Sequence, residues 1–267
     1  MFNLANLFTA ANLISGCLAI IFALSGRIDL APWAIFTGLI FDFLDGFAAR
    51  LFKTSGELGK QLDSLADMIT FGVAPGIIVF YVLSIDISTL SGENTLLEIH
   101  QSYVHWFSEL NVLKLEGNYL PFFALLLPFF ALFRLAKFNL DTRQSDSFIG
   151  LPTPSMTLFF MSFPLVLTYT SFESEQSMAL IAFLFNPWLI IGFIVLMGVL
   201  MISEIPLFSL KLKHFGWKGN QLRILFLLIS LVLILIFKAW SFSLIVFLYL
   251  IFSLIENTFF KKVRNEV

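Results

Sequence analysis

The chain has 267 residues and a formal net charge of −2 at pH 7, a balance that gives no footing for nucleic acid as a partner. Hydrophobic residues make up 58% and charged residues 13%, against about 25% charged in an ordinary soluble domain; a water-soluble globule is excluded and a polytopic helical membrane protein is expected. Cys17 is the one cysteine, which excludes an intrachain disulfide.

Apolar runs predict helical spans over 5–25, 31–52, 60–85, 119–136, 152–171, 182–203, 222–238 and 240–258. The fold class expected is all-α: a polytopic integral membrane helix bundle of about eight transmembrane helices. No Lys or Arg precedes Arg27, so the first helix reads as a retained span rather than a cleaved leader. The loop from about 86 to 118 is acidic yet carries Leu96, Leu97, Tyr103, Trp106 and Phe107, a mixture that predicts an amphipathic helix at the interface. His100 and His105 lie five apart there, a poor spacing for one helix face, and read as surface histidines. The last two spans share a short turn near Lys238-Ala239-Trp240-Ser241.

Basic residues orient the bundle. With a cytoplasmic N-terminus, thirteen Lys and Arg fall on the inner side and only Arg27, Lys114 and Lys238 on the outer. That bias follows the positive-inside rule, with both termini cytoplasmic.

The same orientation puts the most unusual stretch of the chain at the cytoplasmic ends of the second and third helices. It reads Asp42-Phe43-Leu44-Asp45-Gly46-Phe47-Ala48-Ala49-Arg50, and resumes at Gly59 with Asp63 and Asp67. A carboxylate at a helix centre in a bilayer costs roughly 2.5–3.5 kcal/mol, and four of them on the order of 10 kcal/mol if nothing offsets it. Asp42 and Asp45 share one helix face by spacing, as do Asp63 and Asp67. Side-by-side packing of the two helices would bring four hard oxygen ligands together, a set suited to Mg²⁺ or Mn²⁺ and sufficient for two ions of the kind that serve phosphoryl transfer. Gly46, Ala49 and Gly59 remove bulk beside the acids, although glycine costs about 1 kcal/mol in a helix interior. Arg50 offers a bidentate donor for phosphate. One aspartate pair near a helix end is often only a solvated boundary, and small residues are ordinary packing positions; eight constrained positions together are far more specific.

The pattern D-x-x-D-G-x-x-A-R-x8-G-x3-D-x3-D, spanning 26 residues, resembles the signature of the CDP-alcohol phosphatidyltransferases. Two further stretches are similar to the phosphatidylserine synthase branch of that family. One is the N-x-x-T-x-x-N opening at Asn6, Thr9 and Asn12; the other is Arg134-Leu135-Ala136-Lys137-Phe138-Asn139 followed by Phe148-Ile149-Gly150-Leu151-Pro152-Thr153-Pro154. Lys137 stands where that branch usually has arginine, and Ser155 where alanine is common.

The resemblance implies one membrane-embedded domain over 1–267, with a catalytic core over about 1–203 and two added helices over 222–258. It implies transfer of the phosphatidyl group from CDP-diacylglycerol to the L-serine hydroxyl with release of CMP, at a site facing the cytoplasm in a cytoplasmic (inner) membrane. Asp42, Asp45, Asp63 and Asp67 would hold Mg²⁺ or Mn²⁺, two ions in all, and Asp67 would also be the general base. Asn6, Thr9, Gly46, Ala49, Arg50 and Gly59 would line the CDP and phosphate pocket. Arg134, Lys137 and Arg143 are candidates for the serine carboxylate, with Asn139 and the Gly150-Leu151-Pro152 turn as pocket wall; the basic residues also fit plain positive-inside anchors. The partners implied are CDP-diacylglycerol, L-serine, membrane lipids and a second copy in a homodimer. Glycerol 3-phosphate or another polyol phosphate is the alternative acceptor. A divalent-cation transporter is the alternative of a different class, and it leaves Gly46, Ala49, Arg50 and Gly59 at their spacing without a purpose.

Overall fold

Asn3 opens the first helix: its side chain accepts from the Asn6 backbone N–H at 2.8 Å, satisfying a donor that a helix N-terminus leaves without an internal partner. The structure, a computed structural model, describes residues 3–54, 56–90, 95–110, 117–141, 148–169, 175–207 and 220–257. Helix α1 (Leu4–Leu24) turns at Gly26, φ +81°, and is followed by α2 (Ala31–Leu51). In that turn Arg27 donates to both Asp29 oxygens, at 3.0 and 2.9 Å, and these bonds hold the Asp29 carboxyl below its ordinary range.

Helix α3 (Glu57–Asp67) passes through a π-helical turn at Met68–Val73 into α4 (Ala74–Leu83). Amphipathic α5 (Thr95–Glu109) buries Ile99 and Trp106, the helix expected between 86 and 118. His105 is exposed, but His100 is only half-exposed, because its Nδ1 lies 3.2 Å from the buried Tyr81 hydroxyl. A 3-10 turn at Leu120–Leu125 leads into α6 (Leu126–Leu140). Then come α7 (Thr153–Tyr169), α8 (Glu175–Leu184), α9 (Pro187–Ile202), α10 (Gln221–Phe237) and α11 (Ser241–Ile255). Two short strands, β1 (Phe148–Ile149) and β2 (Pro206–Leu207), pair antiparallel.

The expected helix over 182–203 begins instead at Pro187. Asn186 caps α9 by accepting from the Trp188 N–H at 2.9 Å, and Pro187 at the first helical position forgoes an N–H that has no partner there. Residues 182–184 belong to α8.

Four helical stretches among the described residues are long and apolar enough to cross a membrane: Leu4–Leu24, Glu57–Leu83, Leu120–Leu140 and Gln221–Ile255. The last would reach about 50 Å if straight, well beyond a hydrocarbon core of about 30 Å. It folds back at Lys238, φ +46°. Phe226 then meets Phe252 with ring centroids 5.8 Å apart, and Arg223 Nη2 lies 3.7 Å from Glu256 Oε1, so α10 and α11 form an antiparallel hairpin. Exposed Leu228, Leu231 and Leu235 on α10 suit contact with acyl chains. The centre of the bundle is α7, whose Met156, Phe159, Phe160, Met161 and Val166 are all buried.

Two helices close on Thr70 in the π-turn. A Cβ at Gly16 of α1 would fall 2.5 Å from Thr70 Oγ1, and one at Gly38 of α2 would fall 2.7 Å from Thr70 Cγ2. Only glycine permits this approach. The turn's polar groups are met from outside: Thr70 Oγ1 donates to the Asn12 carbonyl at 2.9 Å, and Thr157 Oγ1 on α7 donates to the Phe71 carbonyl at 2.9 Å. The π-turn directly follows Asp67, a location typical of helix irregularities that re-aim functional side chains.

Candidate active site

The Thr70 junction sets α1, α2 and α3 in register, and the aspartates follow. Carboxylate oxygens of Asp42, Asp63 and Asp67 lie within 4.8 Å of one another. Asp45, 6% exposed, is turned aside and accepts from Thr9 Oγ1 at 2.6 Å. Asp67 accepts from Asn12 Nδ2 at 3.1 Å. Among the described residues no Lys or Arg forms an ion pair with any of the four. Half-buried carboxylates this close, without basic partners, need a cation to be stable in the ionised form. The donor set is hard oxygen only, which fits Mg²⁺ or Mn²⁺. The structure thus brings three of the four expected ligands to one point, with the fourth on the adjoining wall.

Two cavities meet at this cluster. The smaller, about 210 Å³, is walled by Asn6, Thr9, Gly46, Ala49 and Gly59, with Asp45 and Asp63 on one side. Gly59 faces Asn6: a Cβ there would stand 3.5 Å from Asn6 Oδ1. The larger, about 440 Å³, is lined by Asp42, Asp63, Asp67, Arg50 and Arg134. Gly46 and Asp63 belong to both. The residues expected to bind CDP and phosphate therefore line the smaller cavity, except Arg50, which faces the larger.

Arg134 is 3% exposed. Its Nε donates to the Leu151 carbonyl at 3.2 Å and its guanidinium lies over the Phe138 ring at 5.3 Å. Leu151 is placed by the preceding turn. Gly150 has φ +75°, and a Cβ there would fall 2.6 Å from the Met201 carbonyl oxygen and 2.7 Å from that of Ser203. Gly150 N–H donates to the Ile205 carbonyl and Leu151 N–H to that of Leu200, both at 2.9 Å. The turn thus docks on the end of α9 and aims Arg134 into the cavity.

Other expected residues lie elsewhere. Lys137 donates to the Ile202 carbonyl and Glu204 Oε1, both at 3.3 Å. Asn139 Nδ2 donates to Ser64 Oγ at 2.8 Å, and the Asn139 backbone carbonyl accepts from Lys60 Nζ at 2.7 Å. Neither residue lines either cavity. Arg143 lies outside the described residues. Sequence reasoning gave no role to Asn12, although it stands three residues after Thr9 as Thr9 does after Asn6; that repeat along one helix was the available signal.

A membrane-embedded aspartate cluster shared by two cavities, one lined by small residues and the other by arginines, describes a phosphoryl-transfer enzyme acting on a lipid. The chain belongs to the CDP-alcohol phosphatidyltransferase family, whose model matches residues 2–208. It is 31% identical over 258 residues, covering 95% of this chain and 90% of its relative, to a CDP-diacylglycerol–serine O-phosphatidyltransferase of Helicobacter pylori (strain J99). It is 33% identical over 159 residues to the protein of that description in Bacillus subtilis (strain 168), covering 59% of this chain and 73% of the relative. Against an archaetidylserine synthase of Methanothermobacter thermautotrophicus it is 31% identical over 206 residues, covering 76% of this chain and 68% of the relative.

Proposed function

We propose that this protein transfers the phosphatidyl group of CDP-diacylglycerol to the hydroxyl of L-serine, giving phosphatidylserine and CMP, at the cytoplasmic face of the inner membrane. The observation that carries this reading is the partition at Gly46 and Asp63, where the two cavities adjoin beside the carboxylate cluster. A donor and an acceptor bound one on each side would meet there. The serine acceptor draws support from the Helicobacter and Bacillus relatives and from a buried arginine in the larger cavity.

In this mechanism Asn6, Thr9, Gly46, Ala49 and Gly59 form the wall against the nucleotide, and Arg50 donates to a phosphate oxygen from the other side. Asp42, Asp63 and Asp67, with Asp45 beside them, would hold Mg²⁺ or Mn²⁺, two ions in all. When bound, the metal supplies positive charge for the pyrophosphate and for the departing CMP. Arg134, fixed through Nε, turns the rest of its fork toward the serine carboxylate. Asp67 takes the hydroxyl proton as the serine oxygen bonds to the diacylglycerol-bearing phosphorus and the bond from that phosphorus to CMP breaks. One displacement of this kind inverts configuration at phosphorus. Lys137 and Asn139 brace the walls by their bonds to α9 and α3.

The test is CMP release by the purified protein in detergent with CDP-diacylglycerol and Mn²⁺ or Mg²⁺, comparing serine, glycerol 3-phosphate, inositol 1-phosphate and no acceptor. Release with serine alone, abolished by a chelator and restored by the metal, is expected. Release with another alcohol would overturn the acceptor assignment, and no release from folded protein would favour the cation-transport alternative.

A further inference from the structure

Asn6, Thr9 and Asn12 stand at three-residue spacing on α1, each about 60° round the helix from the one before. The first two meet the smaller cavity. Asn12 lies one step deeper, 0% exposed, and reaches Asp67 instead. Its setting is rigid. The Asn12 carbonyl is held by Thr70, and the glycine approaches at Gly16 and Gly38 leave α1 no room to roll.

Asn12 Oδ1 has no hydrogen-bond partner although it is buried. Leaving a buried carbonyl unmet destabilises a fold. Turning the amide over would not help, since it would aim Oδ1 at the Asp67 carboxylate and lose the Nδ2 donor. The side chain is therefore kept for its NH₂ group, at some cost to stability. A carboxylate pinned on Oδ1 presents its other oxygen in a fixed direction, and the pin comes from the helix that also carries Asn6 and Thr9.

We infer that Asn12 is a positioning residue for phosphatidyl transfer, acting through Asp67: its Nδ2–H bond to Oδ1 holds Asp67 so that Oδ2 meets the acceptor hydroxyl. This rests on the reading of Asp67 as the base. Asn12 lines neither cavity, so its removal acts through Asp67 and falls more heavily on turnover than on substrate binding.

The experiment compares Asn12→Leu, close in shape but without a donor, with Asp67→Asn and the unaltered protein. Asn12→Ser, smaller and too short to reach, serves as a second variant should leucine fail to fold. Measured are kcat, KM for serine, and the Kd for CDP-diacylglycerol with the metal present but no acceptor. The expected result for Asn12→Leu is a fall in kcat of about 10- to 100-fold, the scale of a misplaced catalytic group. KM and Kd should stay within about threefold, as for a group that acts only in the transition state. An unchanged kcat beside an inactive Asp67→Asn would overturn the role of Asn12 alone. Weakened CDP-diacylglycerol binding that accounts for the whole loss would overturn it too, as a disturbance of the donor pocket. Turnover retained in Asp67→Asn would overturn the base assignment and with it this inference.

Discussion

Thr9 Oγ1 lies 2.6 Å from Asp45 Oδ2, so a hydroxyl on α1 holds the one motif aspartate that stands apart from the three-carboxylate cluster. The bond crosses from α1 to α2 in the wall of the smaller cavity. A hydrogen bond to a charged group is worth about 1.5–3 kcal/mol. Thr9→Val keeps the shape and removes the donor. The expected outcome is a rise of roughly tenfold or more in half-saturating CDP-diacylglycerol, given that energy, with KM for serine unchanged; Thr9→Ser should behave like the unaltered protein. Steady-state kinetics in mixed micelles checks this, and a shift confined to serine would contradict the placement of Thr9 on the donor side.

Arg134 and Lys137 are one helical turn apart and should behave differently. Arg134 is buried on the cavity, whereas Lys137 is committed to Glu204 and the Ile202 carbonyl. Arg134→Ala is expected to raise KM for serine by about 10- to 100-fold, the loss of a charge-assisted pair. Arg134→Lys should not rescue it, because an ammonium cannot both bond Leu151 and present a fork. Lys137→Ala should leave kcat/KM within about threefold, since an exposed ion pair is worth about 0–1 kcal/mol. Equal losses in both variants would show that Lys137 also serves the acceptor.

That contrast marks how far the sequence carried the reading. The i, i+3 and i, i+4 spacings put Asp42 with Asp45 and Asp63 with Asp67, and the structure gathers all but Asp45 at one point. Asp45 departs because its orientation depends on Thr9, a residue on a different helix, and helical periodicity says nothing about partners across helices. The π-turn at Met68–Val73 was invisible for a similar reason: it depends on Gly16, Gly38 and Thr157, which lie far from it along the chain. Lys137 and Asn139 belong to the same short motif as Arg134, but motif membership does not say which way a side chain turns from a helix. The hairpin near Lys238 was legible from length alone, whereas the start of α9 was marked only by Asn186-Pro187, a cap-and-proline signal that a span drawn from hydropathy over 182–203 runs straight through.

Gly150→Ala tests the support of Arg134 without touching it. Alanine at φ +75° with its Cβ 2.6 Å from a carbonyl oxygen must displace the turn. Positive φ and overpacking together should destabilise by about 1–3 kcal/mol. The expected result is a lower thermal midpoint in detergent, together with a raised KM for serine that mirrors Arg134→Ala and an unchanged Kd for CDP-diacylglycerol. A stability loss with no change in KM would separate the turn from the acceptor site.

The seat of Gly150 on the carbonyls of α9 also bears on biosynthesis. Every aspartate of the cluster has left the ribosome soon after residue 67, and Arg134 follows in the sixth helix. The turn that steadies Arg134 finds its seat only when residues 200–205 have emerged. A nascent chain halted between those points would hold the donor-side machinery and lack a settled acceptor side. The order in which the ribosome delivers the residues is therefore an order in which the ability to spend CDP-diacylglycerol productively arrives last.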